Sequence, residues 1–125
     1  MSDLTPESFE KIPWQSPWRY VGIGEGSGYE RELAQEAGPG HPLHDARAIA
    51  VGVRVDQDDV LFLLPDSPKP LAVVHLTYSP DSGNASKATV PHTIFYSSLD
   101  DWLQRGMAAD HADYLRGVSE ADDNN

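Results

Sequence analysis

Ile49-Ala50-Val51-Gly52-Val53-Arg54-Val55, Asp56-Gln57-Asp58-Asp59 and Val60-Leu61-Phe62-Leu63-Leu64 follow one another without a break. In the first block Ile49, Val51, Val53 and Val55 alternate with Ala48, Ala50, Gly52 and Arg54. That period of two predicts a strand with a bulky face and a small-residue face. Small residues on the second face predict close approach of a helix or of the N-terminal segment. The second block holds no apolar residue and reads as a solvated hairpin turn; it lacks the glycine and terminal glutamate of a calcium loop. The third block is apolar at every position, as a central strand covered on both sides must be.

Outward from this ribbon, Pro65 to Pro70 is a stiff connection and Leu71 to Ser79 a further strand. Its alternation puts Ala72, Val74, Leu76 and Tyr78 on one face, with Leu71, Val73, His75 and Thr77 on the other. A polar loop, Pro80 to Pro91, leads to a last strand from His92 to Ser97. Upstream, Trp18 to Ile23 forms a short strand. Ser27 and Glu30 make a capping-box pattern before a helix whose stripe is Tyr29, Leu33 and Ala37. Glu30, Arg31, Glu32, Gln35 and Glu36 fill the remaining positions, and Gly38-Pro39-Gly40 stops the helix. Downstream, Ser98 caps a helix with Asp100 and Asp101 in its first turn. Leu99, Trp102, Leu103, Met107, Tyr114, Leu115 and Val118 share its stripe, Gly106 interrupts it and Gly117 stops it.

These elements predict an α+β fold: an antiparallel meander of three to five strands, with a helix before it and a C-terminal helix packed on one face, in two layers. Residues 1–118 form one domain, of which 1–17 are a packed arm carrying Phe9, Ile12 and Trp14. Thr5 and Pro6 start a single helical turn there. Residues 119–125 are expected to be a disordered acidic tail.

Composition sets the outer limits. The chain has 125 residues, 39% of them apolar, which suits one ordinary core. Nine Lys and Arg stand against 20 Asp and Glu, a net charge of -11. That balance argues against nucleic-acid binding through phosphates and opposes an anionic membrane surface. There is no cysteine, so disulfide scaffolds, thiolate metal sites and cysteine nucleophiles are excluded. The first residues lack a secretory signal, and no apolar run approaches a membrane span of roughly 20 residues, so the cytoplasm is the expected compartment. Gly22, Gly24, Gly26 and Gly28 do not have phosphate-loop spacing and no lysine follows them.

Candidate chemistry rests on the histidines. His41-Pro42-Leu43-His44-Asp45 places two imidazoles in one loop, and His41, His44 and His92 are the candidate metal ligands, three nitrogens with an open position. Nothing in the spacing fixes their convergence, and loop hydrogen bonding is the competing reading. His75 sits within an apolar strand and must find a partner for its ring nitrogens, either Thr77, a neighbouring strand or a ligand. The candidate ligand-binding residues are therefore His75, Thr77, Trp18 and His44. Trp14 and Trp18 either pack in the core or line a groove, and His111 is a boundary residue of the last helix. No motif calls for a cofactor.

Asp58-Asp59-Val60-Leu61-Phe62, Val73-Val74-His75-Leu76-Thr77-Tyr78, Pro91 with Tyr96 and Trp102, and Glu32-Leu33 to His41-Pro42-Leu43 together resemble a group of small bacterial proteins with no assigned activity. In that group the central strand reads V-V-H-L-T-W, and Tyr78 here replaces the tryptophan. The resemblance spans about Trp14 to Trp102 and implies a compact single domain, without an activity. The functional expectation is a cytoplasmic, non-enzymatic protein that binds a basic protein partner through an acidic surface, as an immunity protein or an adaptor does. The alternative is a small-molecule binder or metal-assisted hydrolase with a histidine-lined pocket.

Overall fold

The computed structural model describes residues 4–22, 24–78 and 92–123, with side chains as far as 117. After a short 3-10 turn, Pro6–Phe9, come β1 (Trp18–Tyr20), α1 (Ser27–Glu36), β2 (Ile49–Arg54), β3 (Asp59–Leu63), β4 (Leu71–His75) and β5 (Thr93–Tyr96). The chain ends in α2 (Leu99–Trp102), a π-helical turn Leu103–Met107, and α3 (Ala108–Asp123). Among the described residues five strands pair antiparallel in the order β1-β2-β3-β4-β5, a simple meander. The expected loop from Pro80 to Pro91 lies outside the described residues, as do Ile23 and Ser79.

The expected α+β meander is present, but its two helices cover opposite faces, giving three layers instead of two. On one face Val60, Phe62, Leu64, Ala72, Val74 and Leu76 pack against Leu33 of α1, Ala37 just past its end, and Leu43. On the other, Leu61, Leu63, Leu71, Val73 and Tyr96 pack against Phe9, Trp102 and Met107, with Trp14 and Leu99 alongside. β3 and β4 are apolar at nearly every position, so water must be kept from both sides. Phe9 is fully buried, and the N-terminal arm is therefore part of this second layer.

The alternation expected along β2 breaks in the middle. Ile49 and Val51 face the second core, but Val53 faces the first. The register slips between Ala50 and Gly52, which puts Val51 and Gly52 on the same side, the geometry of a β-bulge. Close approach at the small residues does occur, on both faces. A methyl group on Gly52 would meet the Trp14 ring at 2.5 Å, and one on Gly26 would meet Ala50 at 3.0 Å. Glu30 does not close a capping box on Ser27; its carboxylate accepts from the Ala50 N–H at 3.0 Å instead. A bond that ties α1 to β2 wins over one within the helix turn.

The C-terminal helix starts as expected. Ser98 Oγ accepts from the Asp101 N–H at 3.0 Å, and Asp101 in turn accepts from the Ser97 N–H at 2.9 Å. Trp102 is fully buried, with its ring edge-on to Trp18 at 5.4 Å and to Trp14 at 5.7 Å. Gly106 leaves room for that indole, since a methyl there would lie 2.5 Å from it. The stripe does not continue to the end: Leu115 is 50% exposed. Gly117 does not stop the helix, which runs to Asp123, so residues 119–123 are helical and only 124–125 of the expected tail lie outside the described residues. One exposed glycine costs a helix about 1 kcal/mol and ends it only when the chain turns left-handed there.

Candidate functional site

Two of the three histidines expected to hold a metal use a ring nitrogen on the backbone instead. His41 is buried, and its Nδ1 accepts the Leu43 N–H at 3.0 Å. His44 Nδ1 donates to the Ala37 carbonyl at 2.9 Å, closing the loop behind α1. His92 is exposed at the head of β5, where its carbonyl accepts the His75 N–H. Among the described residues no three His, Asp or Glu side chains come together as a metal site. For His41 the reason is local: its Nδ1 lone pair is used on a backbone N–H and is not available to a cation.

The candidate ligand-binding residues do not converge either. His75 projects from the face of β4 that Val73 occupies, and Asp59, its register partner on β3, holds its Nδ1 at 2.6 Å. Its ring is half exposed. His44 lies on the opposite side of the sheet, beside Ala37 of the first core. Trp18 is buried in the second core and donates its indole N–H to Asp110 at 2.8 Å. His111, on the same helix, donates to the Ser16 carbonyl at 2.6 Å and fastens the arm.

Thr77 leads to the feature that sequence reasoning missed. Its N–H and its hydroxyl both bond Glu36 Oε1, at 2.8 and 3.0 Å, and the Tyr78 N–H bonds Glu36 Oε2 at 2.9 Å. Glu36 is fully buried, which a carboxylate tolerates only with this degree of hydrogen bonding. Its position carried a signal: Glu36 follows Tyr29 by seven residues, two helical turns, and so falls on the apolar stripe. One turn earlier, Glu32 is raised to about 7 by its hydrogen bond to Glu36, then by burial and the Glu36 charge.

The carboxylate clamps an unusual turn. Tyr78 has φ of 54°, a left-handed conformation that costs a non-glycine residue about 1–3 kcal/mol. The residue is 51% exposed, although it is a large aromatic. It borders a groove of about 330 Å³ between the start of α1 and the β2–β3 turn, with Tyr29 on the α1 side and Val53, Val55 and Val60 along the sheet. Asp58 also lines it. Burial first, then Tyr29, Asp58, Glu32 and Glu36 in turn, hold the Tyr78 phenol above its ordinary value. Two guanidiniums border the groove, and both are occupied: Arg19 by Glu25 at 2.6 Å, Arg54 by Asp56 at 2.8 Å and Asp110 at 3.2 Å.

Two other clefts carry less chemistry. The larger, about 740 Å³, lies between Leu4, the Pro65 to Pro70 turn and the start of α2, where Asp100 is its one charged residue. The smaller, about 300 Å³, lies behind Leu43 and Phe95 and is lined by Asp45, Arg47 and Asp66.

No protein-family model matches the chain, and neither a curated protein nor a solved structure is detectably similar to it. No described helix is long and apolar enough to cross a membrane.

Proposed function

We propose that the protein is a small cytoplasmic binding protein without catalytic activity, which engages a basic protein partner through its acidic surface in the manner of an immunity protein or an adaptor. The observations that support this are the acidic balance of the chain and the pairing of four of its nine cations with its own carboxylates. Arg19 pairs with Glu25, Arg54 with Asp56 and Asp110, Arg105 with Asp101 and Arg116 with Asp113. Those four guanidiniums are neutralised within the molecule, and the chain as a whole keeps a net charge of -11, with 20 acids against 9 bases. Such a field speeds encounter with a cationic surface and disfavours nucleic acid and anionic membranes.

A hydrolytic or small-molecule site has one feature in its favour, the His75–Asp59 pair, which has the geometry of an oriented general base. None of the three clefts described above is lined by His75. The test is capture of partners from lysate at low and high salt, followed by titration of the purified partner at several ionic strengths. The partner is expected to be basic, with affinity that falls steeply with salt. An acidic partner, or a salt-insensitive one, refutes the proposal, and a rise in melting temperature on adding zinc favours the hydrolase.

A further inference from the structure

The groove beside Tyr78 joins three properties. The first is an aromatic ring held half in water by a left-handed backbone, which a fully buried carboxylate clamps through the Thr77 and Tyr78 N–H groups. Strain of this kind persists only where surrounding structure enforces it. The second is apolar surface: Val53 and Val60 lie along the groove, and Val55 at its lip is 62% exposed. The third is charge. Arg19 and Arg54 together face three carboxylates, and Asp58 with the Glu32–Glu36 pair adds more negative charge around Tyr78.

These properties select an occupant. An anion meets no unpaired guanidinium here and is repelled by Asp58. A purely apolar group would cover carboxylates without replacing their water. A long side chain with a cationic head satisfies both requirements: its methylenes lie on the valines, its charge meets Asp58, and the faces of Tyr29 and Tyr78 attract the cation. A volume of about 330 Å³ fits one such side chain and is at the small end of cofactor-sized sites, which begin at roughly 300 Å³. The geometry points to this groove as the receptor for a single lysine or arginine side chain projecting from the partner protein. The inference rests on the partner-binding reading above and gives it a location.

The test is a titration of the full-length protein, followed by amide chemical shifts, with capped pentapeptides that carry arginine, lysine, glutamine or leucine between glycines. Arginine and lysine peptides are expected to shift Tyr29, Val53 to Asp58 and Tyr78, with glutamine and leucine silent. Tyr78→Ala and Asp58→Asn are each expected to weaken the arginine peptide about fivefold or more. If Tyr78→Ala fails to fold, Asp58→Asn and the four-peptide comparison still decide. Equal shifts from glutamine, a response to leucine alone, shifts spread over the whole acidic surface, or concentration-dependent shifts without peptide (a second copy in the groove) each overturn the proposal. A basic, salt-sensitive partner that binds Tyr78→Ala and Asp58→Asn as well as wild type would remove the groove and leave the acidic-surface reading intact. Peptide binding in the groove with no basic partner recovered would do the reverse.

Discussion

Replacing Glu36 with glutamine tests the clamp on the end of β4 most directly. Wild-type Glu36 accepts three hydrogen bonds from the end of β4, two on one oxygen from Thr77 and one on the other from Tyr78. Glutamine keeps a single acceptor oxygen and turns an amide N–H toward a backbone N–H. Losing one bond to a charged group costs about 1.5–3 kcal/mol, and the unpaired buried donor adds about 1 kcal/mol. The expected loss is roughly 2–4 kcal/mol, or on the order of 10 °C in melting temperature for a domain of this size. Stability is also expected to change its dependence on pH. Native Glu32 keeps its proton up to about pH 7, whereas the ordinary glutamate value is 4.5. Between those values the folded state binds the extra proton, so wild-type stability falls as pH rises through the window and levels off above 7. Glu32 is partly solvated, so solvent screening limits the fall to about 1–2 kcal/mol. The variant weakens the first cause of that shift, the bond to the Glu36 carboxylate, and removes the last, its charge, while burial remains, so the slope should shrink. Urea unfolding followed by tryptophan fluorescence at pH 5 and pH 8 measures both effects, because Trp14, Trp18 and Trp102 form one ring cluster. A cost below about 1 kcal/mol, or an unchanged slope in the variant, refutes the reasoning.

Gly106→Ala should destabilise by about 1–3 kcal/mol through its collision with the Trp102 indole, although alanine is the better helix former; a gain in denaturation midpoint would show that the π turn is not built around that ring. Gly52→Ala should carry a similar penalty by displacing Trp14, and a calorimetric melting point equal to wild type would contradict the close packing at the bulge. Asp101 is held well below the usual carboxylate range by its bond from Arg105, then by the Ser97 N–H. Its stabilising effect is present near neutrality and lost as pH falls below the ordinary aspartate value, so Asp101→Asn should flatten the acid limb of a thermal-melt pH series. Leu115→Ala should stay within about 0.5 kcal/mol of wild type, whereas Leu33→Ala should lose about 2–5 kcal/mol; equal effects in urea would show that α3 packs along its whole length.

The sequence by itself determined the elements and their order. Period-two alternation in β4, the uninterrupted apolar run Val60 to Leu64 and the Ser98 cap each have one low-energy local solution, so meander, helices and turns were legible without coordinates. Tertiary structure decided which face each element covers and which polar groups meet. The bulge at Val51 and Gly52 reverses the side on which Val53 points, and no residue type announces it in advance. His41, His44 and His75 found partners in a loop N–H, a helix-end carbonyl and a carboxylate across the ladder, which dispersed the expected metal and ligand sites. Glu36 looked like one more solvated acid of a charged helix until the end of β4 supplied three donors 41 and 42 residues away. Local chain preferences act over a few residues and are written in sequence. Desolvation and hydrogen bonding act between whatever the folded backbone brings within about 3 Å, and that juxtaposition exists only once the layers have closed.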